Sequence, residues 1–112
     1  MIKINVLGTD YYIIYKEQSD DEMLEKCDGY IDKTSHKIVV TLCPKDNQLE
    51  QWNVYQKKVL RHEIIHAFLF ESGLHGNANY DAVSTEHPEM MIDWFAVQYE
   101  KLTAAFKEAQ AI

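Results

Sequence analysis

The chain reads NQLEQWNVYQKKVLRHEIIHAFLFES between Asn47 and Ser72, without proline or glycine. Apolar and aromatic residues recur in this stretch at helical spacing and mark two faces. One face holds Trp52, Tyr55, Val59, His62 and His66. A helix with apolar residues on several sides is usually central in its domain. We therefore predict a long central helix that begins at a capping box formed by Asn47 and Glu50 and ends at Gly73.

The residues that precede this helix predict strands. Residues 2–6 alternate between apolar and polar, residues 11–15 are aromatic and β-branched, and residues 37–42 are the most strand-like segment of the chain. Residues 27–31 predict a strand more weakly, and residues 20–26 allow one helical turn or a loop. The N-terminal part should therefore form a small antiparallel or mixed sheet.

A second helix is predicted near the end of the chain. Residues 73–87 form a polar loop, and Pro88 suits the first turn of a helix. The apolar stripe of this helix holds Met91, Trp94, Phe95, Tyr99, Leu102 and Phe106. The expected fold is α+β, a single domain over residues 1–112 in which a small sheet packs on the long helix and on the C-terminal helix.

Composition excludes several classes of function. The net charge of −7 disfavours binding to a phosphate backbone, so we expect no nucleic-acid partner. No stretch approaches the roughly 20 apolar residues that cross a bilayer, so we expect no membrane span. The alternating N-terminus is unlike an export signal, and the expected location is the cytoplasm. The oligomeric state is left open.

The central helix contains the sequence His62-Glu63-Ile64-Ile65-His66. A spacing of four residues places both histidines on one face, with Cβ atoms about 5–6 Å apart. Two imidazole nitrogens can then reach one zinc ion at about 2.0–2.1 Å. Glu63 can lie beside the metal and take a proton from a water bound there. The motif therefore predicts a zinc site with Glu63 as general base.

A catalytic zinc usually has three protein ligands and one open position. Glu89 is the favoured third ligand, because its spacing of four from Asp93 lets one carboxylate bind the metal while the other supports a liganding histidine. Asp93 falls on the same face one turn later and could accept the free N–H of a liganding histidine, which would fix the tautomer of that ring. Glu86, His87 and Asp93 remain rival ligands.

These motifs carry a family resemblance. The segment from His62 to Gly73 and the later Asp93-Trp94-Phe95-Ala96 resemble the short HExxH proteins of bacterial prophages, which are gluzincin-like and distantly similar to the ImmA/IrrE metallopeptidases. The resemblance covers the whole chain coarsely and about a third of it by motif. It implies a zincin-like fold, zinc at His62, His66 and a downstream glutamate, Glu63 as base, and an edge strand that holds an extended peptide.

The favoured function is therefore that of a zinc-dependent endopeptidase acting on a peptide or protein substrate. His75, Tyr80 and His87 are candidates for stabilising the oxyanion. Two alternatives stay open. In a zinc-stabilised interaction module, His87 or His75 would fill the fourth ligand position. In a zinc hydrolase with a non-peptide substrate, the same site would act on other amides or on esters.

Overall fold

The computed structural model describes residues 1–74 and 89–112, apart from the side chains at positions 89, 90, 92, 93 and 96. Its four strands are β1 (Ile2–Val6), β2 (Thr9–Lys16), β3 (Gly29–Asp32) and β4 (Lys37–Thr41), in the order β1-β2-β4-β3. Strand β2 is antiparallel to β1 and parallel to β4, and β3 is antiparallel to β4. The predicted α+β class with a mixed sheet is confirmed, and β3 lies at one edge.

The segment between β2 and β3 forms two short 3-10 helices, Gln18–Asp20 and Glu22–Glu25, where the sequence allowed one turn. Asp21 joins them and holds the segment on the sheet. Its Oδ2 atom accepts a hydrogen bond from the Tyr30 hydroxyl at 2.5 Å. The same oxygen forms an ion pair with Nζ of Lys16 at 3.4 Å. This connection brings the chain to the start of the edge strand β3.

Two long helices follow the sheet: α1 (Trp52–Glu71) and α2 (Glu89–Glu108). Neither helix, within the described ranges, combines the length and the apolarity that crossing a bilayer requires. The predicted end of α1 is confirmed, since Ser72 is its C-cap and Gly73 adopts a φ of 84°. Glycine tolerates this left-handed backbone without a steric penalty.

The predicted start of α1 is four residues too early, since the predicted cap is Asn47 and the observed cap is Gln51. The side-chain oxygen of Asn47 accepts a hydrogen bond from the backbone N–H of Leu49 at 2.9 Å and so closes a local turn instead of capping a helix. The N-cap residue is Gln51, whose side chain makes no capping hydrogen bond. Asparagine forms such short-range turns readily, and a capping-box spacing does not distinguish the two outcomes.

One face of the sheet packs against both helices and forms the main core. Its buried residues include Ile4, Val6, Tyr11, Ile13, Ile38, Val40, Leu60, Ile64, Ala67, Phe68, Trp94, Leu102 and Ala105. The stripe predicted for α2 is only partly confirmed. Trp94 and Leu102 are buried, whereas Phe95 and Tyr99 are 42% and 66% exposed. Met91 and Phe106 are partly buried against the core.

The last turn of α1 is joined to the hairpin of β1 and β2 by Glu71. Its carboxylate accepts hydrogen bonds from the Thr9 hydroxyl at 2.8 Å and from the Tyr11 hydroxyl at 2.7 Å. Tyr11 is fully buried, and burial together with the Glu71 carboxylate raises the pKa of its hydroxyl. The hydroxyl therefore stays protonated at neutral pH and donates to Glu71.

Candidate metal centre

Helix α1 brings the ring nitrogens of His62 and His66 together. The two Nε2 atoms are 3.1 Å apart, and the rings meet edge to face with centroids 4.8 Å apart. Two nitrogens that share a tetrahedral zinc at about 2.0–2.1 Å lie about 3.3–3.4 Å from each other. The separation in the chain differs from that value by only a few tenths of an ångström. The same 3.1 Å also fits an N–H···N hydrogen bond in the metal-free chain, so the distance is compatible with both arrangements.

Glu63 is enclosed beside this pair. Only 7% of its surface is exposed, and its carboxylate makes no hydrogen bond within the described part of the chain. Burial raises the pKa of the Glu63 carboxyl above its usual range, and the adjacent His62 ring offsets part of that shift. Because Glu63 also lines the cleft described below, its carboxylate remains open to a molecule bound there.

The enclosure of Glu63 depends on the close approach of strand β3. A Cβ atom on Gly29 would lie 2.7 Å from Cγ1 of Val59, 3.2 Å from the backbone oxygen of Val39 and 3.5 Å from Cγ of Glu63. The first of these distances is too short for any real side chain. Only glycine therefore lets the edge strand pack directly on the helix at this point. The sequence predicted only a weak strand over residues 27–31 and gave this glycine no role.

A cleft of about 250 Å³ opens next to Glu63. It is lined by residues 27–29 at the start of β3 and by Tyr55, Lys58, Val59, His62 and Glu63 of α1. The helical spacing had placed Tyr55, Val59 and His62 on one face, and the cleft confirms that placement. The contribution of the strand residues could not be read from spacing, because it depends on how the sheet packs.

Asp28 and Tyr55 connect the two walls of this cleft. The Tyr55 hydroxyl donates a hydrogen bond to Oδ2 of Asp28 at 2.5 Å, and the backbone oxygen of Asp28 accepts from the backbone N–H of Thr41 at 3.0 Å. The Asp28 carboxylate also raises the pKa of the Tyr55 hydroxyl. Sequence reasoning assigned no role to Asp28, and no motif marks it.

The residues predicted to supply a third zinc ligand lie beyond the described side chains. Glu89 and Asp93 fall in the first two turns of α2, but only their backbone is described. Glu86, His87, His75 and Tyr80 lie outside the described residues. Among the side chains that the structure does describe, no group of three potential ligands assembles around one point. The assignment of Glu89 as ligand and of Asp93 as its supporting carboxylate stays a prediction.

Comparison with known proteins adds nothing to this geometry. No family model matches the chain, and no curated protein or solved structure matches it.

Proposed function

We propose that the protein is a zinc-dependent peptidase. His62 and His66 would hold the metal together with a ligand from the start of α2, for which Glu89 is the preferred residue. The observation that carries the proposal is the convergence of the two Nε2 atoms to 3.1 Å beside a buried carboxylate that has no hydrogen-bond partner in the described chain. Zinc, when bound, acts as a Lewis acid that lowers the pKa of water and polarises a carbonyl group.

The role of Glu63 follows from its surroundings. Its carboxylate would take a proton from the attacking water as the oxygen of that water bonds to the carbonyl carbon. It would then deliver the proton to the amide nitrogen as the carbon–nitrogen bond breaks. A pKa raised by burial brings the carboxyl closer to neutral pH, which favours both transfers.

A peptide is the preferred substrate because of the edge strand. Strand β3 pairs with β4 on one side, and no described strand pairs with its other side. An unpaired strand edge offers backbone N–H and C=O groups that an extended peptide can pair with. The start of β3 lines the cleft beside Glu63, so a peptide lying along this edge would pass close to the base. We also propose the cytoplasm as the location of the protein.

The test begins with metal analysis and a peptide library. The purified protein should hold about one zinc per chain after reconstitution, and its hydrolysis of library peptides should stop in a chelator and return with zinc. Glu63→Gln keeps the shape of the side chain and removes the base, so zinc content should persist while the rate falls by about 10²–10⁴-fold. Glu50→Gln, at an exposed position just before α1, is the matched control and should retain the full rate.

Two results would replace the proposal. A zinc-loaded protein that hydrolyses no peptide and whose metal has four protein ligands would be an interaction module stabilised by zinc. Chelator-sensitive hydrolysis of esters or of non-peptide amides, without any hydrolysis of peptides, would assign a different substrate to the same site.

A further inference from the structure

The cleft beside Glu63 has the dimensions of a subsite for one side chain. Pockets that enclose whole drug-sized ligands measure roughly 300–1,000 Å³. At about 250 Å³ this cleft is smaller, and it is open at the surface next to the proposed metal centre. Its walls are Val59 and the Tyr55 ring on the helix and the Gly29 backbone on the strand. An aliphatic stem can lie along such walls while its polar end reaches further.

Two carboxylates line this cleft, those of Glu63 and Asp28, and the one held in place by a side-chain hydrogen bond is that of Asp28. Its Oδ2 accepts from the Tyr55 hydroxyl and its backbone oxygen accepts from Thr41, so the residue is held at two points. Its Oδ1 has no hydrogen-bond partner in the described chain. The ion pairs found among the described residues are Lys3–Asp10 and Lys16–Asp21, so Asp28 is in neither of them. A carboxylate can accept about four hydrogen bonds, and most of the capacity of Asp28 is therefore unused.

The basic residue that lines the cleft does not neutralise Asp28. Lys58 is exposed, and its Nζ atom lies 5.7 Å from the centre of the Tyr55 ring instead of on the carboxylate. This contact also shows that the ring face accepts a cation. Because the fixed charge of the cleft is negative and the positive charge is on an exposed, flexible side chain, the cleft is electrostatically suited to a cation.

We propose that this cleft is a specificity subsite for a lysine or arginine side chain of the substrate, with Asp28 as the recognising residue and Tyr55 as the residue that positions it. The inference rests on the proposed peptidase function and adds the substrate class. The ammonium or guanidinium group would bond to Oδ1 of Asp28, and the stem would lie between Val59 and the Tyr55 ring. A basic residue next to the scissile bond would then place that bond beside Glu63.

The experiment compares peptides that differ only in one residue flanking the scissile bond, which is lysine, arginine, norleucine or glutamate. The zinc-loaded wild-type protein should favour lysine or arginine over norleucine by about 10–100-fold in kcat/KM, as a charge-assisted hydrogen bond gives. Asp28→Asn should bring kcat/KM for the lysine peptide down to that for the norleucine peptide. Asp20→Asn, at an exposed position outside the cleft, should keep the preference.

Tyr55→Phe separates recognition from folding. It keeps the charge of Asp28 and removes the hydroxyl that holds it, so KM for the lysine peptide should rise while kcat stays within about twofold of wild type. This variant also tests the inference if Asp28→Asn folds poorly. A change that only weakened the fold would instead lower the active fraction, which reduces kcat and leaves KM unchanged.

The possible failures are distinguishable. Hydrolysis of peptides without a basic preference would overturn the subsite and leave the peptidase intact. A preference for glutamate that Lys58→Gln removes would overturn it in favour of recognition by Lys58. If the wild type hydrolyses nothing, the peptidase fails, and calorimetric binding of the same peptides to the zinc-loaded protein decides the subsite. Tighter binding of the lysine peptide that Asp28→Asn abolishes supports it, and equal binding of all the peptides overturns it.

Discussion

Two glutamates on helix α1 have opposite environments. Glu71, in the last turn, is half-buried and accepts hydrogen bonds from the hydroxyls of Thr9 and Tyr11. Glu63, in the middle of the helix, is almost fully buried and accepts none in the described chain. Glu63 lines a cleft, so its carboxylate is open to a bound molecule, whereas the carboxylate of Glu71 is occupied by its two donors. The comparison therefore separates a carboxylate that joins two elements of the fold from one that a bound molecule can reach.

The surroundings of the two residues support the same division. The neighbours of Glu63 are the converging rings of His62 and His66 and an open cleft, which a metal and a substrate can occupy. The neighbours of Glu71 are two hydroxyl donors from the β1–β2 hairpin, one of them on a fully buried side chain. The middle of the helix should therefore respond to metal and substrate, and its end should respond to changes in stability.

The largest effect is expected from the histidines. Substituting a residue that hydrogen-bonds to a metal ligand usually costs roughly 10–100-fold in affinity. His62→Ala or His66→Ala should lower zinc affinity by more than that, because each removes a metal–nitrogen bond. Metal analysis after dialysis against a zinc buffer measures the loss. His36→Asn is the control, since His36 lies outside the site and its φ of 57° is a conformation that asparagine tolerates. Full zinc content in either alanine variant would show that the metal does not bind at the middle of the helix.

The next effect concerns the ligand from α2. Glu89→Gln should weaken zinc binding much more than Glu86→Gln does. Asp93→Asn should lower zinc affinity by about 10–100-fold, as expected for a residue that hydrogen-bonds to a metal ligand. Competition with a chromophoric chelator measures all three affinities. If Asp93→Asn removes zinc and Glu89→Gln retains it, the ligand lies one turn further along α2.

The sequence predicted the elements of this fold better than their contacts. The strands at residues 2–6, 11–15 and 37–42 and the end of α1 at Gly73 were evident, because alternation and glycine positions are local signals. The start of α1 was missed, because Asn47 closes a turn with Leu49, and the sequence does not show which local hydrogen bond asparagine chooses. The parallel pairing of β2 with β4 was not predicted either, since it depends on long-range packing.

The candidate site could likewise be predicted only in part from the sequence. The pairing of His62 with His66 follows from helical geometry alone, and their nitrogens converge as that geometry requires. Asp28 and Gly29 carry no motif and reach the site only because β3 is the edge strand that packs on α1. A sequence pattern identifies residues on one helix, whereas the opposite wall of a cleft is defined by topology. The role of Glu71 was missed for the same reason, because Thr9 and Tyr11 are about 60 residues away in sequence.

A smaller effect, on stability alone, is expected at the end of the helix. Glu71→Gln leaves one amide oxygen for two hydroxyl donors, so the free energy of unfolding should fall by about 1–3 kcal/mol, the usual cost of leaving a buried donor unsatisfied. Urea unfolding measures the change, and zinc content should stay at the wild-type value. A double-mutant cycle with Tyr11→Phe should give a coupling of roughly 0.5–3 kcal/mol between the two residues. Additive losses would show that the hydrogen bond does not join them in solution.

The smallest effect is expected from Glu63→Gln. It tests the comparison most directly, because it is the same substitution as Glu71→Gln made at the other carboxylate. Burial raises the pKa of Glu63, so the folded metal-free protein binds this proton more tightly than the unfolded chain does. Below the unfolded pKa of about 4.3 both states are protonated and Glu63 has no effect on stability. As pH rises through the unfolded value to the raised folded value, the charged form accumulates in the unfolded chain first, and the folded state loses stability. Glu63→Gln should therefore stabilise the chelator-treated protein at pH 7, by less than Glu71→Gln destabilises it, and should leave stability unchanged below about pH 4.3, where both states are protonated. Urea unfolding of both glutamine variants across the window provides the measurement, and the variants should move in opposite directions at pH 7. A loss of stability in Glu63→Gln as large as that in Glu71→Gln would mean that the Glu63 carboxylate has a hydrogen-bond partner in the folded protein, and its chemical role would lose its main support.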